Sequence, residues 1–181
     1  MKKIFFSVFI LSTILFAYCK LPQDNVCIVS TQFVMADGGS DYSIILGKDG
    51  TVWTTGRNDY GQLGTGNNTT RNTFTKIADN VKMIAAGGYH SLILKNDGTV
   101  WTTGYNNYGQ LGTGDNADRN TFTKVADNVK MIDGGIYHSL ILKNDGTVWT
   151  TGYNNYGQLG TGDNTTRNTF TKINKELFKC K

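Results

Sequence analysis

The chain copies itself. The run KNDGTVWTTGYNNYGQLGTG, from Lys95 to Gly114, recurs on either side of itself, and its tryptophans, Trp53, Trp101 and Trp149, stand 48 residues apart. A fixed period of that size marks a repeat architecture, in which each unit buries its apolar face only by stacking on a neighbour. The copies occupy residues 34–81, 82–129 and 130–177. Between 82–125 and 130–173 there are six differences, at Ala85, Ala86, Gly88, Ala117, Asp118 and Val125. The first copy has drifted further.

Within a copy the apolar runs are short and punctuated by turn residues, which predicts four strands rather than helices. In the second copy they fall at Lys82 to Ala86, Ser91 to Lys95, Thr99 to Thr103 and Phe122 to Val125. Asn96-Asp97-Gly98 reads as a tight hairpin, with Asp-Gly suited to positive φ. A longer loop, 104–121, leads to the last strand. Leu92-Ile93-Leu94 is apolar on successive residues, and Val100 and Trp101 point opposite ways, so both faces of the sheet are expected to be buried. The expected fold is therefore all-β: a partial β-propeller of three four-stranded blades forming an open arc, after an N-terminal signal segment. Two remnants fit this frame. Residues 26–29 align with the last strand of a blade, and 178–181 with the first strand of one.

Composition narrows the partners. The formal charge is +4, with only four arginines and no basic stripe, which argues against nucleic-acid binding. The N-terminus has Lys2 and Lys3 ahead of an apolar run from Ile4 to Ala17. That run is too short to span a membrane, and with its basic start it reads as a signal peptide over residues 1–19. Leu15-Phe16-Ala17-Tyr18-Cys19 resembles a lipobox with Tyr18 in the place of the usual small residue, so Cys19 is a lipidation candidate. Ordinary cleavage there is the alternative. Residues 20–33 form a linker and partial strand. Export exposes cysteines to oxidising conditions, so Cys27 and Cys180 are candidates for a disulfide, within one chain or between two, against the alternative of two free thiols.

The run GGYHSLILKNDGTVWTTGYNNYGQLGTG, Gly87 to Gly114, resembles the repeat of the regulator of chromosome condensation. The pattern is a glycine, His-Ser, an apolar strand, Asp-Gly, an aromatic strand ending in glycine, then Gly-Gln-Leu-Gly, here at 61–64, 109–112 and 157–160. The resemblance covers about 34–173 and implies a propeller, seven-bladed in the family. It also implies diverse roles: a nucleotide-exchange factor, photoreceptors, ligase accessory domains and secreted inhibitors of β-lactamases. Fold does not choose among these. Equal spacing of the copies leaves no room for the inserted hairpin that the exchange factor uses. Three repeats do not close a ring, so the outer faces of the end blades are expected to be uncovered, with Ile44, Leu46, Leu140 and Leu142 at risk of exposure. That favours a homo-oligomer completing the propeller.

Chemistry-bearing motifs are few. His90 and His138 share a repeat position with Tyr42, which suggests an aromatic, hydrogen-bonding role between blades rather than metal binding or catalysis. Ser91 and Ser139 have no acid–base partner placed by the sequence. Gly114 to Asp118 lacks the alternating oxygen ligands of a calcium loop, and the closely spaced glycines lack the context of a phosphate loop. No cofactor, catalytic or metal site is expected. The Tyr-Asn-Asn loops are of another kind. Arg57, Tyr105, Asn106, Tyr153 and Asn154 have the amphipathic, adaptable composition of contact surfaces, and Arg57, Tyr105 and Tyr153 differ between copies. Tyr108 and its equivalents read as blade packing. The function expected is an exported, non-enzymatic module that binds an extracellular or cell-surface protein through its loops, for adhesion or inhibition, with a lipid anchor as its one membrane link. The alternatives are an extracellular carbohydrate-active hydrolase, although Glu176 is the only glutamate, and a truncated array without independent function.

Overall fold

A computed structural model describes residues 32–174. They form three antiparallel four-stranded meanders. Blade 1 comprises β1 (Phe33–Gly38), β2 (Tyr42–Gly47), β3 (Val52–Gly56) and β4 (Arg71–Ala78). Blade 2 comprises β5 (Val81–Ala86), β6 (His90–Lys95), β7 (Val100–Gly104) and β8 (Arg119–Ala126). Blade 3 comprises β9 (Val129–Gly134), β10 (His138–Lys143), β11 (Val148–Gly152) and β12 (Arg167–Lys172). No described residue is helical. Cys19, Cys27 and Cys180 lie outside the described residues.

The hairpins between the second and third strands have a local cause. Gly98 N–H donates to the Lys95 carbonyl at 3.0 Å, and only the glycine takes positive φ, at 85°. Asp97 instead accepts from the Thr99 backbone N–H at 2.9 Å and from its hydroxyl at 2.7 Å. Asp-Gly is thus selected for two separate jobs, a left-handed glycine and an Asx turn. Thr99 in turn accepts from Trp101 Nε1 at 2.9 Å, which orients the indole. The same geometry recurs at Asp49 and Asp145.

Each sheet buries both faces because each strand serves two cores. Leu92 and Leu94 point toward blade 3 and join Val100, Val129, Ile132 and Ile141. Ile93, between them, points toward blade 1 and joins Ile44, Leu46, Val52 and Val81. Trp101 and Phe122 pack on that same blade 1 core, while Trp149 and Phe170 pack on the next. Every blade therefore has a leading face, turned to the preceding copy, and a trailing face, turned to the following one. Burying one such aliphatic side chain contributes about 1.5–3 kcal/mol, so these two joints carry much of the stability.

This assignment corrects one expectation. Ile44 and Leu46 are fully buried, because their pleat directs them into the joint with blade 2. Among the described residues, the side of blade 1 with no blade against it is its leading face, where Phe33 is 53% and Phe74 45% exposed. Leu140 and Leu142, on the trailing face of blade 3, are partly exposed as expected.

Candidate functional site

Two layers of side chains occupy the loop end of the blades. The inner layer holds the joints. Tyr42, from blade 1, donates its hydroxyl to the His90 carbonyl of blade 2 and lies 3.0 Å from Ser91 Oγ. Ser91 Oγ donates to the Gln62 carbonyl at 2.7 Å. One blade on, His90 Nε2 lies 2.8 Å from Ser139 Oγ, which donates to the Gln110 carbonyl at 2.7 Å. The serine has one proton, and it goes to the carbonyl. Nε2 must therefore carry the imidazole proton. Nδ1 is left buried without a partner. It faces Gly87, where an added Cβ would come within 2.3 Å of it. A proton there would meet no acceptor, and burial pushes the His90 pKa down from 6.5 to about 3. His90 is thus a neutral inter-blade hydrogen-bond donor, a role it shares with Tyr42. Burial likewise lowers the His138 pKa.

The loops that follow β3, β7 and β11 are braced from within. Asn106 Oδ1 accepts from Leu111 N–H at 2.9 Å, while Nδ2 donates to the Asp115 and Ala117 carbonyls at 2.9 and 3.1 Å. Asn58 and Asn154 repeat this bracket. Asn106 and Asn154 are completely buried. This takes them out of the expected contact surface: their polar atoms are used inside the loop. The Asp115 carboxylate is held below its ordinary range by the Ala117 N–H and by Arg119, with which it is ion-paired. Asp163 and Arg167 form the same pair at 2.7 Å. Among the described residues, no three His, Cys, Asp or Glu side chains converge as a metal site.

The outer layer is aromatic. Tyr105 and Tyr153, expected as contacts, are half-buried and belong to a chain of rings that crosses all three blades. Tyr60 meets Tyr105 at 4.8 Å between centroids, and Tyr108 meets Tyr153 at 4.9 Å. Tyr89 and Tyr137 fill the gaps: Tyr89 lies 5.8 Å from Tyr60, and Tyr137 lies 5.2 Å from Tyr108. Tyr156, 6.1 Å from Tyr153, ends the series at 87% exposure. The separations and tilted planes suit the ring quadrupoles. Tyr60 and Tyr108, read from sequence as blade packing, do pack on the tyrosine of the next blade, and they are also continuous with this surface.

Arg57 closes the other end. It lies 6.0 Å from the Tyr60 ring and pairs with Asp41 and Asp59 at 3.3 and 2.6 Å. By repeat position, Arg57 replaces Tyr105 and Asp41 replaces Tyr89. A charged pair in blade 1 thus stands where blade 2 has the Tyr89–Tyr105 pair, 6.4 Å apart. The pairing is enforced by backbone bonds at the same register: Arg57 N–H to Asp41 O at 2.9 Å, Tyr105 N–H to Tyr89 O at 2.9 Å, and Tyr153 N–H to Tyr137 O at 2.8 Å. Sequence reasoning missed Tyr89, Tyr137 and Asp41. The available signal was the matched switch at both positions of the first copy.

Comparison with known proteins agrees with this architecture. Among curated proteins, no sequence matches the chain. Human WBSCR16 is similar in structure, with 25% identity and a TM-score of 0.74 over 88% of this chain and 41% of that one. Yeast RCC1 (Prp20), solved bound to Kap60, is similar at 25% identity and a TM-score of 0.70, over 86% of this chain and 39% of that one. A second structure of Prp20p from Saccharomyces cerevisiae matches at 26% identity and a TM-score of 0.70, over 81% and 40%. The chain spans about two fifths of the length of each. The model of the regulator of chromosome condensation (RCC1) repeat matches residues 49–94, 97–142 and 145–175, and a second model of that repeat matches 81–110 and 129–158. The first of these spans starts at one blade's hairpin and ends in the second strand of the next, so the family unit bridges the joints described above. The chain belongs to the regulator of chromosome condensation (RCC1) repeat family.

Proposed function

We propose that this protein is an exported, non-enzymatic protein-binding module whose contact surface is the tyrosine rim. The observation that carries the reading is the continuity of the rim: rings from three blades touch in series, partly exposed, with Arg57 at one end and Tyr156 at the other. Tyrosine presents large contact area with few rotatable bonds, and Tyr and Arg are enriched where proteins meet proteins. Prp20, a relative in fold, is a binder of proteins, with Kap60, Gsp1p and histones named for it. For the present chain the partner class is an extracellular or cell-surface protein, approached for adhesion or inhibition. The basic and apolar N-terminus supports export, and Cys19 is the residue for a lipid anchor. A disulfide through Cys27 and Cys180 belongs to the same reading. A second copy of the chain, completing the propeller, is a further partner.

The test is capture from a cell-surface extract by the parent protein and by a Tyr105→Ala/Tyr153→Ala variant. Removing two central aromatic anchors costs on the order of 2 kcal/mol or more, so recovery of specific partners should fall at least about tenfold. Equal recovery by both proteins would overturn the assignment of the rim.

A further inference from the structure

We infer that the chain associates head to tail with a second copy of itself, the trailing face of blade 3 receiving the leading face of blade 1 through the joint already built twice within the chain. The inference makes one element of the reading above specific, and it stands independently of what binds the rim.

Among the described residues, no blade lies against the trailing face of blade 3 or the leading face of blade 1, and these are the two halves of one interface. On the trailing side, Ile44, Leu46 and Val52 in blade 1, and Leu92, Leu94 and Val100 in blade 2, are fully buried. Their counterparts in blade 3, Leu140, Leu142 and Val148, are partly exposed. On the leading side, blade 2 presents Ser91, Ile93, Thr103, Asn120 and Phe122 to blade 1. Blade 1 presents the same five residue types, Ser43, Ile45, Thr55, Asn72 and Phe74, with no described blade against them. The polar register matches as well. Thr103 shares its hydroxyl proton between the Gly61 carbonyl at 2.9 Å and the Arg119 carbonyl of its own blade at 2.7 Å, Thr151 shares its proton between the Gly109 carbonyl at 2.8 Å and the Arg167 carbonyl at 2.9 Å, and the Asn120 carbonyl accepts from Gly66 N–H at 2.8 Å. Thr55 and Asn72 carry the same groups toward Gly157 and Gly162 of another copy.

Space is available where it is needed. A Cβ on Gly109 would meet Asn168 at 2.3 Å and one on Gly112 would meet Phe170 at 2.6 Å, because the next blade closes over them. At Gly157 and Gly160 the nearest atoms are 3.6 Å away and belong to the same blade. The rim is incomplete in the same place. Tyr60 and Tyr108 are each covered by the tyrosine of the next blade, at 105 and 153. Among the described residues Tyr156 has no such neighbour, and the residue at that repeat position in blade 1 is Arg57. Docking places Arg57 of the second copy at the Tyr156 ring, a cation–π contact that continues the rim across the joint. Two different patches meeting make a heterologous interface, which closes into a ring or extends into a filament according to its rotation.

Polarity makes the inference testable by complementation in sedimentation velocity. The parent should sediment with at least twice the monomer mass, in a concentration-dependent manner. A leading-face variant, Phe33→Glu/Phe74→Glu, and a trailing-face variant, Leu140→Glu/Leu142→Glu, should each be monomeric, because every joint needs both faces. Mixed together, they should form a dimer that grows no further, since one intact face remains on each. A monomeric parent, either variant still self-associating, or a mixture that stays monomeric would each overturn the inference. Circular dichroism checks that each variant is folded. A second measurement avoids folding risk: Arg57→Cys/Tyr156→Cys, with Cys19, Cys27 and Cys180 replaced by serine, should cross-link into dimers and longer species on a non-reducing gel, and a purely monomeric band refutes the register. Because association is read without any rim partner, its failure is distinguishable from failure of capture by the Tyr105/Tyr153 variant.

Discussion

Replacing His90 by tyrosine should remove a specific part of the protein's acid sensitivity. In the folded chain the imidazole is neutral, its Nε2 proton given to Ser139 and its Nδ1 sealed against Gly87. Its pKa falls from 6.5 to about 3. Between those values the unfolded chain takes up a proton that the folded chain refuses. The stabilising contribution is therefore complete above 6.5 and is lost progressively as the pH falls toward 3. The slope is about 1.4 kcal/mol per pH unit, which from neutrality to about pH 5 amounts to about 2 kcal/mol. Tyrosine is chosen because blade 1 already holds Tyr42 at this position, with Gly39 giving way to its ring as Gly87 does for His90. Urea unfolding of parent and His90→Tyr, at fixed ionic strength from about pH 7.5 down to pH 5, measures the difference. That range lies above the lowered carboxylates Asp97, Asp115 and Asp145, so they stay charged throughout. His138 remains in both proteins and leaves a smaller common slope of the same sign. Parallel pH profiles for the two proteins would refute a buried neutral His90.

Two further outcomes follow from the joints and loops. Gly109 and Gly157 have nearly the same φ, 74° and 72°, but only Gly109 lies under a following blade among the described residues. Alanine at Gly157 should cost about 1–2 kcal/mol from backbone strain, and alanine at Gly109 about 1–3 kcal/mol more from overpacking against Asn168. Equal unfolding midpoints for the two variants would contradict the assigned joint. Asn106→Ala leaves the Leu111 N–H and two loop carbonyls without their partner, costing about 2–3 kcal/mol and opening the 105–118 loop to proteolysis. Unchanged stability and cleavage would show the bracket to be idle.

Much of the fold was legible because it is written locally and three times over. The strand runs, the Asp-Gly hairpins and the two-sided burial of Leu92-Ile93-Leu94 all follow from short-range pattern. The 48-residue period then implied stacking. The site was less legible. Tyr105 and Tyr153 stood out, yet Asn106 and Asn154 have the same surface-like composition and prove to be internal braces. Polarity in a sequence does not say whether a side chain's partner is water or its own loop.

The sequence by itself determined the blades: their number in this span, their strands and turns, and the family. It did so because each depends on residues a few positions apart, reinforced by repetition. Only the tertiary structure decided which neighbouring blade each face packs against, which histidine tautomer is present and which residues share a surface. Those depend on partners one repeat away: His90 with Ser139, Ile93 against the blade 1 core, and Tyr60 with Tyr105. The exchange of Tyr89 and Tyr105 for Asp41 and Arg57 is readable as one linked change only once the backbone sets the two positions side by side.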